Sequence, residues 1–169
     1  MKLDEIKQGL SSFWGSVAEG WHRLRESAAG ALTGFKPGEG AGLPAKSEVD
    51  DEFYLPSQGW SILGGDVFED DTRVVVRLEV PGMDKKELEV AVLDDVLVIS
   101  GEKRFEREAS EGRYRLLQCA YGSFRRAVPL PAPVSTDKAK AHYRNGVLRI
   151  ELPKATTGKP RKLTVKVAG

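Results

Sequence analysis

The sequence predicts an all-β protein, an immunoglobulin-like antiparallel β-sandwich with a partly helical N-terminal arm and a short C-terminal tail. Three observations carry this. From about residue 60 the apolar residues recur with a period of two. Turn residues punctuate that pattern at short intervals. A glycine- and proline-rich stretch separates it from an N-terminal segment with helical spacing.

The arm comes first. Over residues 1–29, Leu3, Ile6, Leu10, Phe13, Val17, Trp21 and Leu24 recur three and four apart, which makes one apolar stripe of an amphipathic helix, and Trp14 widens it. Asp4 and Glu5 sit in the first turn, where the helix dipole favours them. Gly9, Gly15 and Gly20 each weaken an interior helical position by up to about 1 kcal/mol. A lone helix of this kind has nothing to bury its stripe against, so the stripe needs a partner. Residues 30–59 read as a linker whose Gly and Pro density defeats regular structure. Ser47 to Glu52 is acidic, and Phe53, Tyr54, Leu55 and Trp60 are apolar islands before the folded part.

The sandwich is expected over residues 60–154. In Arg73 to Val80, the residues Val74, Val76, Leu78 and Val80 share one face, and Pro81-Gly82 ends the strand. Leu88, Val90 and Val92 follow, and Asp94-Asp95 makes a tight turn into Val96 to Ile99. Phe124, Val128 and Leu130 alternate with Arg125 and Ala127. Ala139, Ala141 and Tyr143 alternate with Lys140, His142 and Arg144. Asn145-Gly146 is a strong two-residue hairpin signal, because both residues tolerate positive φ. It leads into Val147 to Leu152, which Pro153 stops. Seven or eight short strands in roughly 100 residues make a sandwich. Glu102 to Arg115 interrupts it as a charged excursion with Gly112 near its centre. The tail, residues 155–169, is polar until Leu163-Thr-Val165-Lys-Val167.

Several function classes fall away. Lys and Arg number 26 against 25 Asp and Glu, a formal charge of +1, which argues against a dedicated nucleic-acid grip. Cys119 is the single cysteine, so no intramolecular disulfide or cysteine-based zinc site is expected, and a reducing, cytoplasmic location is. No apolar run approaches the roughly 20 residues of a membrane span. His22 and His142 have no Ser or Cys at motif spacing, so no catalytic residues are assigned. Gly158-Lys159 is followed by Pro160, not the Ser or Thr of a phosphate loop, and no cofactor or metal is expected.

Three separated segments carry a resemblance. Ala141-His-Tyr-Arg-Asn-Gly-Val-Leu-Arg-Ile-Glu-Leu-Pro-Lys154 is similar to the A-x-x-x-N-G-V-L signature of the small heat shock proteins, the α-crystallin/Hsp20 family, with its following strand and Pro-Lys. Tyr121-Gly-Ser-Phe-Arg-Arg-Ala-Val-Pro-Leu-Pro131 resembles the family's Y-G-x-F-x-R-x-x-x-L-P segment. Val80-Pro-Gly-Met, with Leu88 to Val92 and Val96 to Gly101, is the third. The resemblance is to bacterial-type members, which usually carry a Glu-Arg pair where Gln118 and Cys119 stand here. It implies an α-crystallin domain and an ATP-independent holdase chaperone. Such a protein binds partly unfolded clients and works as a homo-oligomer built from dimers. The alternative is a non-catalytic co-chaperone or scaffold module of the p23-like sandwich type.

The expected sites follow. Leu10, Phe13, Trp14, Val17, Trp21 and Leu24 form an arm for clients or assembly; a membrane-surface role is weaker, because its polar face is not strongly cationic. Leu163, Val165 and Val167 form the family's aliphatic-x-aliphatic tail motif, with Leu163-Thr-Val165 the preferred register. The resemblance places its accepting groove on another subunit, between the strand of Leu88, Val90 and Val92 and that of Val147, Leu148 and Ile150. The other reading is an edge strand folded back on its own domain. The excursion is either a solvated loop or, as the resemblance implies, a strand swapped onto a neighbouring sandwich. Tyr114 and Arg126 are assigned to the dimer interface.

Overall fold

The computed structural model describes residues 30–156 and 163–169. The chain divides into two compact units, Met1–Leu32 and Thr33–Gly169. The expected arm helix and its site residues lie outside the described residues. The second unit carries the sandwich.

Eight strands lie between Gly59 and Pro153, in agreement with the expected seven or eight: β2 (Gly59–Ile62), β3 (Gly65–Glu69), β4 (Arg73–Glu79), β5 (Glu89–Leu93), β6 (Val96–Lys103), β7 (Gly122–Pro129), β8 (Lys140–Arg144) and β9 (Val147–Pro153). The strand β1 (Leu32–Lys36) precedes them, and β10 (Leu163–Val165) and β11 (Val167–Ala168) follow. One sheet has the order β10-β5-β6-β7-β1-β2, the other β11-β8-β9-β4-β3. The β1–β7, β10–β5, β5–β6, β6–β7, β3–β4, β4–β9 and β8–β9 pairs are antiparallel, and β11 on β8 is parallel.

The core follows from alternation. Val74, Val76 and Leu78 of β4 stand opposite Leu152, Ile150 and Leu148 of β9, and all six are buried. Val90, Val92, Leu97, Ile99, Phe124 and Val128 fill the layer from the other sheet. Asn145 (φ 52°) and Gly146 (φ 77°) make the β8–β9 turn as the sequence requires, and Asp94 (φ 55°) opens the β5–β6 turn.

The strands β1, β2 and β3 are not marked by the periodicity. The expectation of irregular structure over residues 30–59 does not hold for β1. Phe35 is 2% exposed, pairs in register with Phe124, and places its ring 5.2 Å from that ring. Gly122 has φ 110°, and a Cβ there would collide with the Lys36 carbonyl, so the glycine lets β1 cross β7. Tertiary pairing therefore overrides the local composition. β3 was unread because all five of its residues are exposed and no buried face marks it.

Candidate interaction surfaces

The first surface is a groove at one corner of the sandwich. β10 pairs with the outer edge of β5, with Leu163 opposite Val92, Thr164 opposite Ala91 and Val165 opposite Val90. After Lys166 the chain crosses to the other sheet, where Val167 stands opposite Ala141 of β8. Val165 is 6% exposed and belongs to the core cluster, and Val167 packs against it. One short segment thus seals two sheets, within one chain.

The residues expected to form the accepting groove fall on two kinds of strand. Its walls are β5 and β8, and Leu88, Val90 and Val92 lie on or next to the β5 side. Val147, Leu148 and Ile150 lie in β9, which is interior to its sheet and paired with β4 and β8. Leu148 and Ile150 are core residues, and an interior strand has no free edge to offer.

The second surface surrounds the excursion. β6 runs to Lys103, and the chain is then irregular until β7 begins at Gly122. Phe105 organises it, packing edge-on against Tyr114 at 5.6 Å and Tyr121 at 5.1 Å. The Glu108 amide donates to the Tyr114 hydroxyl at 2.9 Å. The segment just upstream of β2 meets it. Val49 forms a parallel bridge with Tyr114, and the Asp50 amide donates to the Tyr114 carbonyl at 2.9 Å. Between the two segments lies a cavity of about 230 Å³, lined by Phe53, Tyr54, Leu55, Trp60, Leu117 and Cys119 among others. Phe53 is 84% exposed and Leu116 60%. The sequence signal for this patch was the run of apolar islands at Phe53, Leu55 and Trp60.

The third surface is the edge of β3, which has no outer neighbour among the described residues and where Val67 and Phe68 are exposed. An exposed edge carries unpaired amides and carbonyls open to another strand.

The two residues assigned to the dimer interface sit on different elements, Tyr114 in the excursion and Arg126 on β7 opposite Ile99. Alternation puts Arg126 on the same face as Phe124 and Val128. Among the described residues its Nε is buried without a partner, and desolvation pulls its pKa below the usual guanidinium value. No group of His, Cys, Asp and Glu among the described residues could hold a metal, and no helix there is long and apolar enough to cross a membrane.

Comparison with known proteins gives a consistent result. The profile described as the Hsp20/alpha crystallin family matches residues 66–168. The small heat shock protein C2 of Rickettsia felis is 35% identical over 101 residues, which are 60% of this chain and 66% of that protein. The 18.2 kDa class I heat shock protein of Medicago sativa is 38% identical over 96 residues, 56% of this chain and 61% of that protein. The match thus spans just under two thirds of these relatives' own length. Heat shock protein 16.0 from Schizosaccharomyces pombe superposes with a TM-score of 0.52 at 35% identity, covering 60% of this chain and 94% of that one.

Proposed function

The chain belongs to the Hsp20/alpha crystallin family of small heat shock chaperones, and from that premise we propose that it is an ATP-independent holdase, a homo-oligomer built from dimers that binds partly unfolded proteins and keeps them from aggregating. The observation that carries this reading is the corner groove. It takes an extended aliphatic-x-aliphatic segment by backbone pairing on both sheet edges and by burial of Val165. A groove that accepts this segment from its own chain accepts the same segment from another copy in the same register. Burying one aliphatic side chain contributes about 1.5–3 kcal/mol, so one such contact is weak, and many in a closed assembly are strong.

Two further contacts complete the assembly. The excursion offers its backbone around Tyr114 to Leu117 to the open β3 edge of a second copy, where exposed Leu116 meets Val67 and Phe68. The Arg126 guanidinium, whose Nε is buried without a partner among the described residues, takes a carboxylate across the same dimer. The stripe of Leu10, Phe13, Trp14, Val17, Trp21 and Leu24 supplies apolar area for clients. A holdase acts by mass action: binding the unfolded chain lowers the free concentration that aggregates. It needs no turnover, and no catalytic group is assigned.

The test is light scattering from a heat-labile client without nucleotide. Suppression at equimolar protein is expected, and unchanged scattering overturns the holdase reading. For the assembly, Leu163→Ala with Val165→Ala is expected to reduce the native mass to dimers or small species. A double variant that keeps the wild-type mass overturns the tail's intermolecular role.

A further inference from the structure

Residues 44–54 are net acidic, the excursion after β6 carries charges of both signs, and three of its arginines meet the acidic segment. Asp50 takes two arginines, Arg113 at 2.7 Å on one carboxylate oxygen and Arg115 on the other. Glu48 takes Arg107 at 3.4 Å. Arg113 also donates to the Ser47 carbonyl at 3.1 Å, and the Leu117 amide to Asp51 at 3.4 Å. The acidic side is itself preformed. Lys46 turns inward and donates to the carbonyls of Asp51, Glu52 and Tyr54 at 2.7, 2.6 and 2.8 Å. The Tyr54 hydroxyl donates to the Pro44 carbonyl at 2.8 Å and closes the loop.

We propose that residues 44–54 form an ionic strap that holds the excursion on its own domain, and that ionic strength sets how often the excursion comes free. The side-chain hydrogen bonds between the two segments are mainly ion pairs, and the members of those pairs are solvent-accessible. Such pairs are screened by salt, while apolar packing is not. Asp50 is the pivot, because one carboxylate serves two cations and the loop behind it is fixed by Lys46. The arginines hold it below the ordinary aspartate range, Arg115 first and Arg113 next. The strap explains why the acidic run lies where it does. The charges of Glu48, Asp50 and Asp51 match Arg107, Arg113, Arg115 and the Leu117 amide one segment away. Opening the strap releases the backbone from Arg113 to Leu117. That this stretch then pairs with β3 of a second copy rests on the reading proposed above.

Trypsin tests the strap directly, because Arg107, Arg113 and Arg115 are its cleavage sites. The full chain and Asp50→Asn are digested briefly at about 0.05 M and about 0.5 M NaCl, conditions that differ severalfold in screening length. Cuts are mapped by mass spectrometry and normalised to the cut at Arg144, in the β8–β9 hairpin. In the wild type, cleavage at Arg113 and Arg115 is expected to rise about tenfold with salt. Asp50→Asn is expected to cut about tenfold faster at low salt, with little further response. Equal cleavage of variant and wild type at low salt overturns the proposal, as does a wild type indifferent to salt. If Asp50→Asn raises every cut alike, the wild-type salt series decides alone. Native mass of the same samples separates the two readings. Salt-sensitive cutting with no change of mass leaves the strap standing and overturns the pairing with a second copy.

Discussion

Asp70 shows how much one partly exposed carboxylate organises. It sits in the β3–β4 turn and accepts from the Thr72 amide and hydroxyl at 2.8 Å each, from the Arg73 amide at 2.9 Å and from Arg73 Nε at 3.2 Å. The two Thr72 contacts lead in holding its carboxyl well below the usual aspartate range, and the Arg73 contacts add to them. A depressed pKa stabilises the fold above the unfolded value, near 4, and the contribution is lost as pH falls toward the folded value. The thermal midpoint is therefore expected to drop on acidification below about pH 4. Asp70→Ala should lower the midpoint at neutral pH by a few degrees and flatten that acid drop. An unchanged acid profile removes Asp70 from the account. In the core, Ile150→Ala leaves a cavity between Val76 and Ala141, its neighbours on either side. The expected loss is about 2–5 kcal/mol, read by denaturant unfolding. The glycine of the Tyr-Gly-x-Phe segment also has a physical reason. Gly122→Ala should misfold or lose stability, because β1 passes too close and the backbone is left-handed.

At the scale of elements, legibility in the sequence tracked burial on one face. β4, β5, β8 and β9 were readable because alternate residues are buried, and Asn145-Gly146 marked its hairpin without ambiguity. β1 was not, since Thr33-Gly34-Phe35 acquires its pairing from β7 and not from its own pattern. The tail of this chain lies against β5 and β8, not against β9. β9 is the most apolar strand of the motif, yet a docking edge must be a free one, and β8 is nearer to that edge. The tail can be tested as an element. Removing residues 157–169 takes away Val165 and leaves β5 without its outer neighbour. Amide exchange over residues 89–93 is expected to accelerate, with a loss of about 1.5–3 kcal/mol for the Val165 side chain. Exchange unchanged there means that the tail does not hold its seat in solution.

At the scale of the whole molecule, near-neutral charge leaves little mutual repulsion between copies, so apolar and strand-edge contacts decide association. The apolar arm stripe was plain in the sequence, while its partner was not, because amphipathicity specifies a face and not what covers it. The arm can be removed cleanly by deleting residues 1–29, since β1 begins at Leu32 and Phe35 belongs to the core. The deletion is expected to keep the thermal midpoint, reduce the native mass and weaken suppression of client scattering. Wild-type mass and suppression after the deletion assign both roles elsewhere. A cut at residue 35 is the wrong experiment, because it also removes Thr33 and Phe35 from β1.

β10 and β11 are three and two residues long, yet they are stitched to different layers of the sandwich. Their departure unbuttons both layers at the same corner and wets the interior beside Val90 and Ala141. In the assembly proposed above, a copy that gives its last residues to a neighbour bares apolar surface at this corner until another tail takes the seat.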